Sequence, residues 1–234
     1  MNIAIIFAGG TGSRMKIESV PKQFLTHHGK PILVYTLEKF QYHEEIDGII
    51  VVMLTDWIEK TWELIKAYGI DKVKAIVPGG ETGLKSRFNG LLKAEELFPA
   101  DSVVLMHDGV RPFVDSDTIS KAIESVKVHG SAITVAPAVE TVALKTENGI
   151  IGDIMDRSVC QLAKAPQCFF LKDLMKSHRA VLAAGKSDMI DTAFLMQTQG
   201  HTLYVVEGKP ENIKITTPND YYTFCALIDA NEHL

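Results

Sequence analysis

Apolar residues along this chain follow two periods in turn. Ile3-Ala4-Ile5-Ile6-Phe7, Gly48–Met53, Val73–Val77, Ser102–Met106 and Ala132–Val135 carry almost no polar position. Short runs of that kind predict strands buried on both faces of a parallel sheet. Between them the spacing becomes helical: Ile32, Leu33, Val34, Leu37 and Phe40 follow Pro31, and Ile58, Trp62 and Ile65 follow Thr55-Asp56. Leu84, Phe88, Leu91 and Leu92 recur in the same way, as do Ile119, Ala122, Ile123 and Val126. Pro31 is tolerated in a first helical turn, and Thr55-Asp56 is expected to cap its helix. Further on, helices are predicted near 172–184 and 189–199 and a strand at Thr202–Val206. A last helix, capped by Thr217 with Pro218, carries Tyr221, Tyr222, Phe224, Cys225 and Ile228. Strands alternating with helices predict an α/β fold: a Rossmann-like, mostly parallel sheet with helices on both faces.

Residues 136–168 break this alternation. Val142–Lys145, a Glu147-Asn148-Gly149 turn and Ile150–Ile154 predict a β-hairpin, Asn-Gly being a strong hairpin signal. A two-stranded ribbon is marginal alone. The expectation is one domain over 1–234 with an arm at about 138–163 that packs on a second copy, making a homodimer.

Ligands of open parallel sheets bind beyond the carboxyl ends of the strands. The unusual segments fall there: 8–15, 78–86, 107–112 and the loop after Val135. The first reads Ala8-Gly9-Gly10-Thr11-Gly12-Ser13-Arg14-Met15. Glycine at three of four positions lets a tight turn present backbone N–H groups to an anion, and Arg14 and Lys22 add positive charge. No Lys-Ser or Lys-Thr pair follows, so this is not the Walker-type phosphate loop. Gly10-Thr11-Gly12 opens a dinucleotide fingerprint, but Met15 stands where a small residue belongs, and the acidic residue expected about 20 positions on is missing. The expected ligand is a nucleoside triphosphate.

Composition narrows the field. The chain has 234 residues, 46% hydrophobic and 23% charged, with a net charge of −5. That balance gives no general attraction to nucleic acid or anionic membrane, so a polyanion must be gripped locally. Cys160, Cys168 and Cys225 have no metal spacing and suit a reducing compartment, no apolar run reaches membrane-spanning length, and Met1-Asn2 leads straight into a strand. A cytoplasmic protein is expected. No Ser-His-Asp or Cys-His set is evident; His27-His28 is read as a solvated turn, and no histidine has metal spacing. His107 is read as a core hydrogen-bonding residue, and Arg111 either as an ion-pair anchor for Asp108 or as a ligand contact.

Five blocks carry a resemblance: 8–15, Pro21-Lys-Gln-Phe-Leu25, His107-Asp-Gly-Val-Arg-Pro-Phe113, Ala165-Pro-Gln-Cys-Phe169 and Asn212-Ile-Lys-Ile-Thr-Thr217. In order and spacing the chain resembles the small bacterial cytidylyltransferases acting on methylerythritol phosphate or ribitol 5-phosphate, a fold of the nucleotide-diphospho-sugar transferase type. The resemblance implies transfer of CMP from CTP to a polyol phosphate with Mg²⁺, releasing pyrophosphate. It implies that Ala8, Gly9, Gly10, Thr11, Gly12, Gly79, Gly80, Ser86 and Asp108 bind the nucleotide. Arg14, Lys22 and Lys214 would carry the catalysis, Asp108 would bind the metal, and Thr141 and Arg157 would bind the acceptor phosphate, with the family's arm reaching across a dimer so that Arg157 could serve the neighbouring subunit's site.

The departures fall mostly on the acceptor side. Gly83 stands where the family's base-binding segment has arginine, with Lys85 or Arg87 as replacements for the charge. Glu140-Thr141 replaces Asp-Thr, Ala165 replaces threonine, and Met189–Ala193 diverges. These favour ribitol 5-phosphate, a precursor for teichoic acid or capsule, over methylerythritol phosphate of isoprenoid synthesis. The other readings are a non-catalytic nucleotide-binding module and, more remotely, an oxidoreductase.

Overall fold

The computed structural model describes residues 1–10, 20–186 and 189–232. The chain runs β1 (Asn2–Ala8), β2 (Thr26–His27), β3 (Lys30–Pro31), α1 (Ile32–Gln41), β4 (Gly48–Met53), α2 (Ile58–Ala67), β5 (Val73–Pro78) and α3 (Gly83–Leu97). It continues β6 (Val103–Asp108), α4 (Ser116–His129), β7 (Ser131–Pro137), β8 (Ala143–Lys145), β9 (Ile151–Ile154) and β10 (Gln161–Phe170). It ends α5 (Leu171–Ala183), α6 (Thr192–Thr198), β11 (Val205–Glu207) and α7 (Pro218–Glu232).

Seven strands form one sheet in the order β11-β7-β10-β6-β1-β4-β5. β1 lies at its centre, parallel to β4 and β6. Its alternate side chains explain why it lacks a polar face: Ala4 and Ile6 join Leu37, Phe40 and Ile123 on one side. Ile3 and Ile5 join Leu91, Phe169 and Leu174 on the other. Gly90 sets how closely α3 lies on the sheet, since a Cβ there would come within 2.8 Å of Ile5 and 2.9 Å of Val52. A third cluster of Ile32, Val110, Ile215 and Phe224 seats α7 beside α1.

The sheet is mostly parallel as expected, with one strand the sequence pattern did not reveal. β10 is inserted antiparallel between β6 and β7. Gln161, Lys164 and Gln167 break its apolar run, and Pro166 removes a ladder donor, so it does not read as an interior strand. The pairing absorbs this by a register shift between Ala163 and Gln167.

Other expectations shift by a turn or less. Thr55 makes no cap: Thr55–Trp57 forms a 3₁₀ turn and α2 begins at Ile58. Trp57 stacks on Phe24 with ring centroids 4.5 Å apart, and α2 is phased so that Thr61 and Ile65 point inward while Trp62 is exposed. Leu92 is likewise exposed, while Leu84 and Leu91 are buried. α6 starts only at Thr192, where the Asp191 carboxylate accepts from Phe194 N at 2.8 Å. β11 is displaced to Val205–Glu207. At α7, Thr217 does cap: its Oγ1 accepts from Asp220 N at 3.4 Å, and the Asp220 carboxylate accepts from Thr217 N at 2.7 Å.

His27 and His28 do form the turn between β2 and β3, but it is not merely solvated. Their Nε2 atoms lie 2.6 and 2.7 Å from the Asp229 Oδ1 on α7, clasping the hairpin to the last helix. The three ligand-type atoms lie within 4.8 Å of one another, although no sequence spacing displays this. The expected arm is present as the β8–β9 ribbon, and every residue in its two strands is exposed. Among the described residues, no helix is long and apolar enough to cross a membrane.

Candidate active site

At the carboxyl ends of the central strands lies a cleft of about 750 Å³. β1 delivers Ala8, Gly9 and Gly10 to its wall, and Lys22 and Gln23 enter from the turn that follows. On the α3 side, Gly80 is held by geometry: a Cβ there would sit 2.4 Å from the Lys85 Cβ. Without one, the loop curls back and Gly80 N donates to Ser86 Oγ at 3.0 Å. Thr82 Oγ1 accepts from Lys85 N at 3.2 Å and starts the helix. The N-terminus of α3, with its unsatisfied N–H groups, therefore faces the same space.

Asp108, at the end of β6, is the electrostatic centre. Its Oδ1 accepts from Lys214 Nζ at 2.6 Å and its Oδ2 from Arg111 Nε at 2.8 Å. Burial alone would raise its pKa, but Lys214 and Arg111 overcome that and hold it down at about 2. Arg111 is thus the anchor of the Asp108 loop, and its Nη1 also donates to Asn212 O at 2.8 Å. The 212–216 segment gathers further cations through its carbonyls. Lys22 Nζ donates to Ile215 O at 2.8 Å, and Lys164 Nζ donates to Asn212 O at 3.3 Å. Burial, then repulsion from Arg111, lowers the Lys164 pKa. His107 is buried beneath, its Nε2 3.1 Å from Arg111 O and its ring edge-on to Phe40. Burial drops its pKa to about 4, so it is neutral at pH 7 and serves the core as expected.

Ala8, Gly9, Gly10, Lys22, Gly80, Ser86, Asp108 and Lys214 come together in this cleft. Thr11, Gly12 and Arg14 lie outside the described residues. Gly79 sits behind the wall, its N–H on Met53 O at 2.8 Å. Thr141 and Arg157 are exposed on the arm and do not line the cleft; Arg157 Nη1 donates to Val139 O at 3.0 Å. Sequence reading gave no site role to Lys164, Gln167 or Asp191, which also line it. Gln167 bridges Asp191 Oδ2 and Ala193 N, at 2.8 Å each, fixing the far wall. The Ala165-Pro-Gln block and the divergent Met189–Ala193 block were the signals for them, and neither named a role. Lys85, one of two candidates to replace the charge missing at Gly83, turns away to Glu81 at 2.5 Å, whereas Arg87 lines the cleft.

A glycine-walled cleft at the strand ends, with one carboxylate shared between cations and lysines arriving from both ends of the chain, defines an α/β protein built to bind phosphate esters. The family model for 2-C-methyl-D-erythritol 4-phosphate cytidylyltransferase (IspD) matches residues 2–229, and the chain belongs to that family of nucleotidyltransferases. It is 49% identical to a ribitol-5-phosphate cytidylyltransferase of Vibrio parahaemolyticus, over 100% of this chain and 98% of that one. It is 40% identical to a 2-C-methyl-D-erythritol 4-phosphate cytidylyltransferase of Clostridium botulinum, over 94% and 93%. Among solved structures, 4-diphosphocytidyl-2C-methyl-D-erythritol synthase from Anaerococcus prevotii superposes with a TM-score of 0.82 at 28% identity, covering 97% of this chain and 95% of that one.

Proposed function

We propose that this chain transfers CMP from CTP to D-ribitol 5-phosphate, forming CDP-ribitol and pyrophosphate. The observation that carries the reaction type is the meeting of Lys22, Lys214 and Asp108 in one cleft with the Gly9-Gly10 and Gly80 turns. The acceptor is chosen on likeness: four relatives named for ribitol 5-phosphate stand at 48–49% identity and a fifth at 34%, against 38–40% for three named for methylerythritol phosphate.

The reaction needs no general base. A phosphate monoester has its second pKa near ~6 and is ionised at neutral pH. An oxygen of the acceptor phosphate attacks the α-phosphorus of CTP, one P–O bond forms, and the bond to the β-phosphate breaks. The obstacle is repulsion between two anions, followed by charge on the leaving pyrophosphate. Positioned cations address both. Lys22 and Lys214 are assigned the α-phosphate and the leaving group, with Arg14 joining them. The backbone N–H groups of the Gly9-Gly10 turn cradle the triphosphate. Asp108 also fits Mg²⁺: a carboxylate offers about four lone-pair positions, of which Lys214 and Arg111 take two, and magnesium binds one or two carboxylates plus phosphate oxygens. Bound there, the ion would neutralise phosphate charge.

Pyrophosphate release measured with CTP and each acceptor separately tests the acceptor. Turnover with ribitol 5-phosphate at least tenfold above that with methylerythritol 4-phosphate is expected; the reverse order returns the chain to the isoprenoid reading. CTP binding with no turnover on either acceptor favours the non-catalytic module.

The homodimer belongs to the same proposal. The arm and its base expose Val139, Leu144, Ile150, Ile151, Ile154, Val159 and Leu162, which a lone ribbon has no means of burying. A second copy covering them would carry Thr141 and Arg157 toward its partner's cleft. Light scattering after gel filtration is expected to give twice the chain mass. The double variant Ile151→Asp, Val159→Asp should run as a folded monomer with greatly reduced turnover; a dimer unaffected by those charges excludes the arm as the contact.

A further inference from the structure

Arg87 is a cation in the wall of the cleft with no ion-pair partner among the described residues. Its Nη2 donates to Met189 O at 2.7 Å, and its Nε is buried with no hydrogen-bond acceptor. Burial depresses its pKa against the opposing pull of Asp191 and then Asp108, and neither of those carboxylates forms an ion pair with it. A guanidinium stays charged under any such shift, and an unbalanced buried charge is costly. A structural arginine would be relieved by a carboxylate close by.

The open side of this guanidinium is defined by a missing side chain. Gly83, the first residue of α3, lies one turn earlier on the same face, and a Cβ there would be 3.5 Å from Arg87 Nη1. The guanidinium thus lies beside bare backbone at the positive end of the helix, and both Gly83 and Arg87 border the cleft. Lys85, the other cation of this turn, is already neutralised by Glu81.

We infer that Arg87 is an anion-binding residue of the cleft, completing its coordination with a phosphate oxygen of a bound substrate. A neutral base or sugar hydroxyl could satisfy a donor but would leave the charge unbalanced, so the ligand is a phosphate group. It belongs either to the nucleotide or to the acceptor. The inference rests on the cytidylyltransferase reading for the identity of those two ligands.

Arg87→Met keeps the length and removes the charge. Titration calorimetry with CTP, cytidine and ribitol 5-phosphate, each alone, distinguishes the sources. The variant is expected to lose tenfold or more in affinity for one phosphate ligand, CTP or ribitol 5-phosphate. Cytidine binding should be unchanged, and the ligand-free Tm equal or higher, because a charge without a counter-ion has been removed. Arg87→Lys, which keeps the charge, should recover most of the lost affinity. Unchanged affinity for both phosphate ligands overturns the inference. So does a lowered Tm with parallel losses for all three ligands, which would mark Arg87 as a packing strut. Wild-type protein that binds neither phosphate ligand would overturn the reaction reading as well, an outcome separable from an unmoved variant of a binding wild type.

Discussion

Lys214→Ala is expected to lower kcat by about 10²–10³-fold, the loss typical of removing one preorganised electrostatic donor, while CTP affinity changes only a few-fold. The reason lies in where the ammonium sits. It is 2.6 Å from Asp108 Oδ1, held beside the cleft by the 212–216 segment, whose carbonyls also fix Lys22 and Arg111. A lysine held in place before substrate arrives needs no reorganisation when charge builds on the transferring and leaving phosphates. Its interaction should therefore be stronger in the transition state than in the ground state, which affects kcat rather than binding. Lys22→Ala should behave similarly. Single-turnover rates beside calorimetric CTP affinities make the comparison. If rate and affinity fall by equal factors, both lysines merely bind.

Asp108→Asn should abolish most turnover, by about 10²-fold or more, and also reshape the stability profile. Asparagine keeps the shape but removes the charge that Lys214 and Arg111 share. The sign follows from the depressed pKa. Asp108 drops from an ordinary 3.8 to about 2 in the folded chain. The carboxylate therefore contributes stability above its unfolded pKa, and loses it as pH falls from near 4 through about 2. A shift of this size corresponds to about 2 kcal/mol at neutral pH. Urea unfolding should find the variant weaker than wild type at pH 7, with the gap closing toward pH 2. A gap independent of pH would mean that the loss comes from packing. His107, neutral with its pKa near 4, should contribute no titration of activity between pH 6 and 8.

Much of the site was legible because it sits where a repeating pattern ends. β1 and β5 run straight into glycine pairs and β6 closes on an aspartate, and Gly9, Gly10, Gly80 and Asp108 could be named from those endings. Arg87 and Lys164 were harder. Within a helix and a broken strand, an isolated cation reads like any solvated one until burial is known. The inserted strand β10 was missed for the related reason that Pro166 and Lys164 disguise it, while pairing on both edges stabilises it regardless.

By itself the sequence determined the alternation of strands and helices, the buried character of the sheet and the glycine turns at its edge. Those follow from local periodicity and backbone freedom, which need no partner. Only the tertiary structure decided which distant charges meet: that Lys214 joins the Asp108 carboxylate, that Asp229 reaches back to His27 and His28, and that Arg87 enters the same cleft as Asp108 and Asp191. Electrostatic pairing acts through space between residues far apart in the chain, so no spacing along the chain records it.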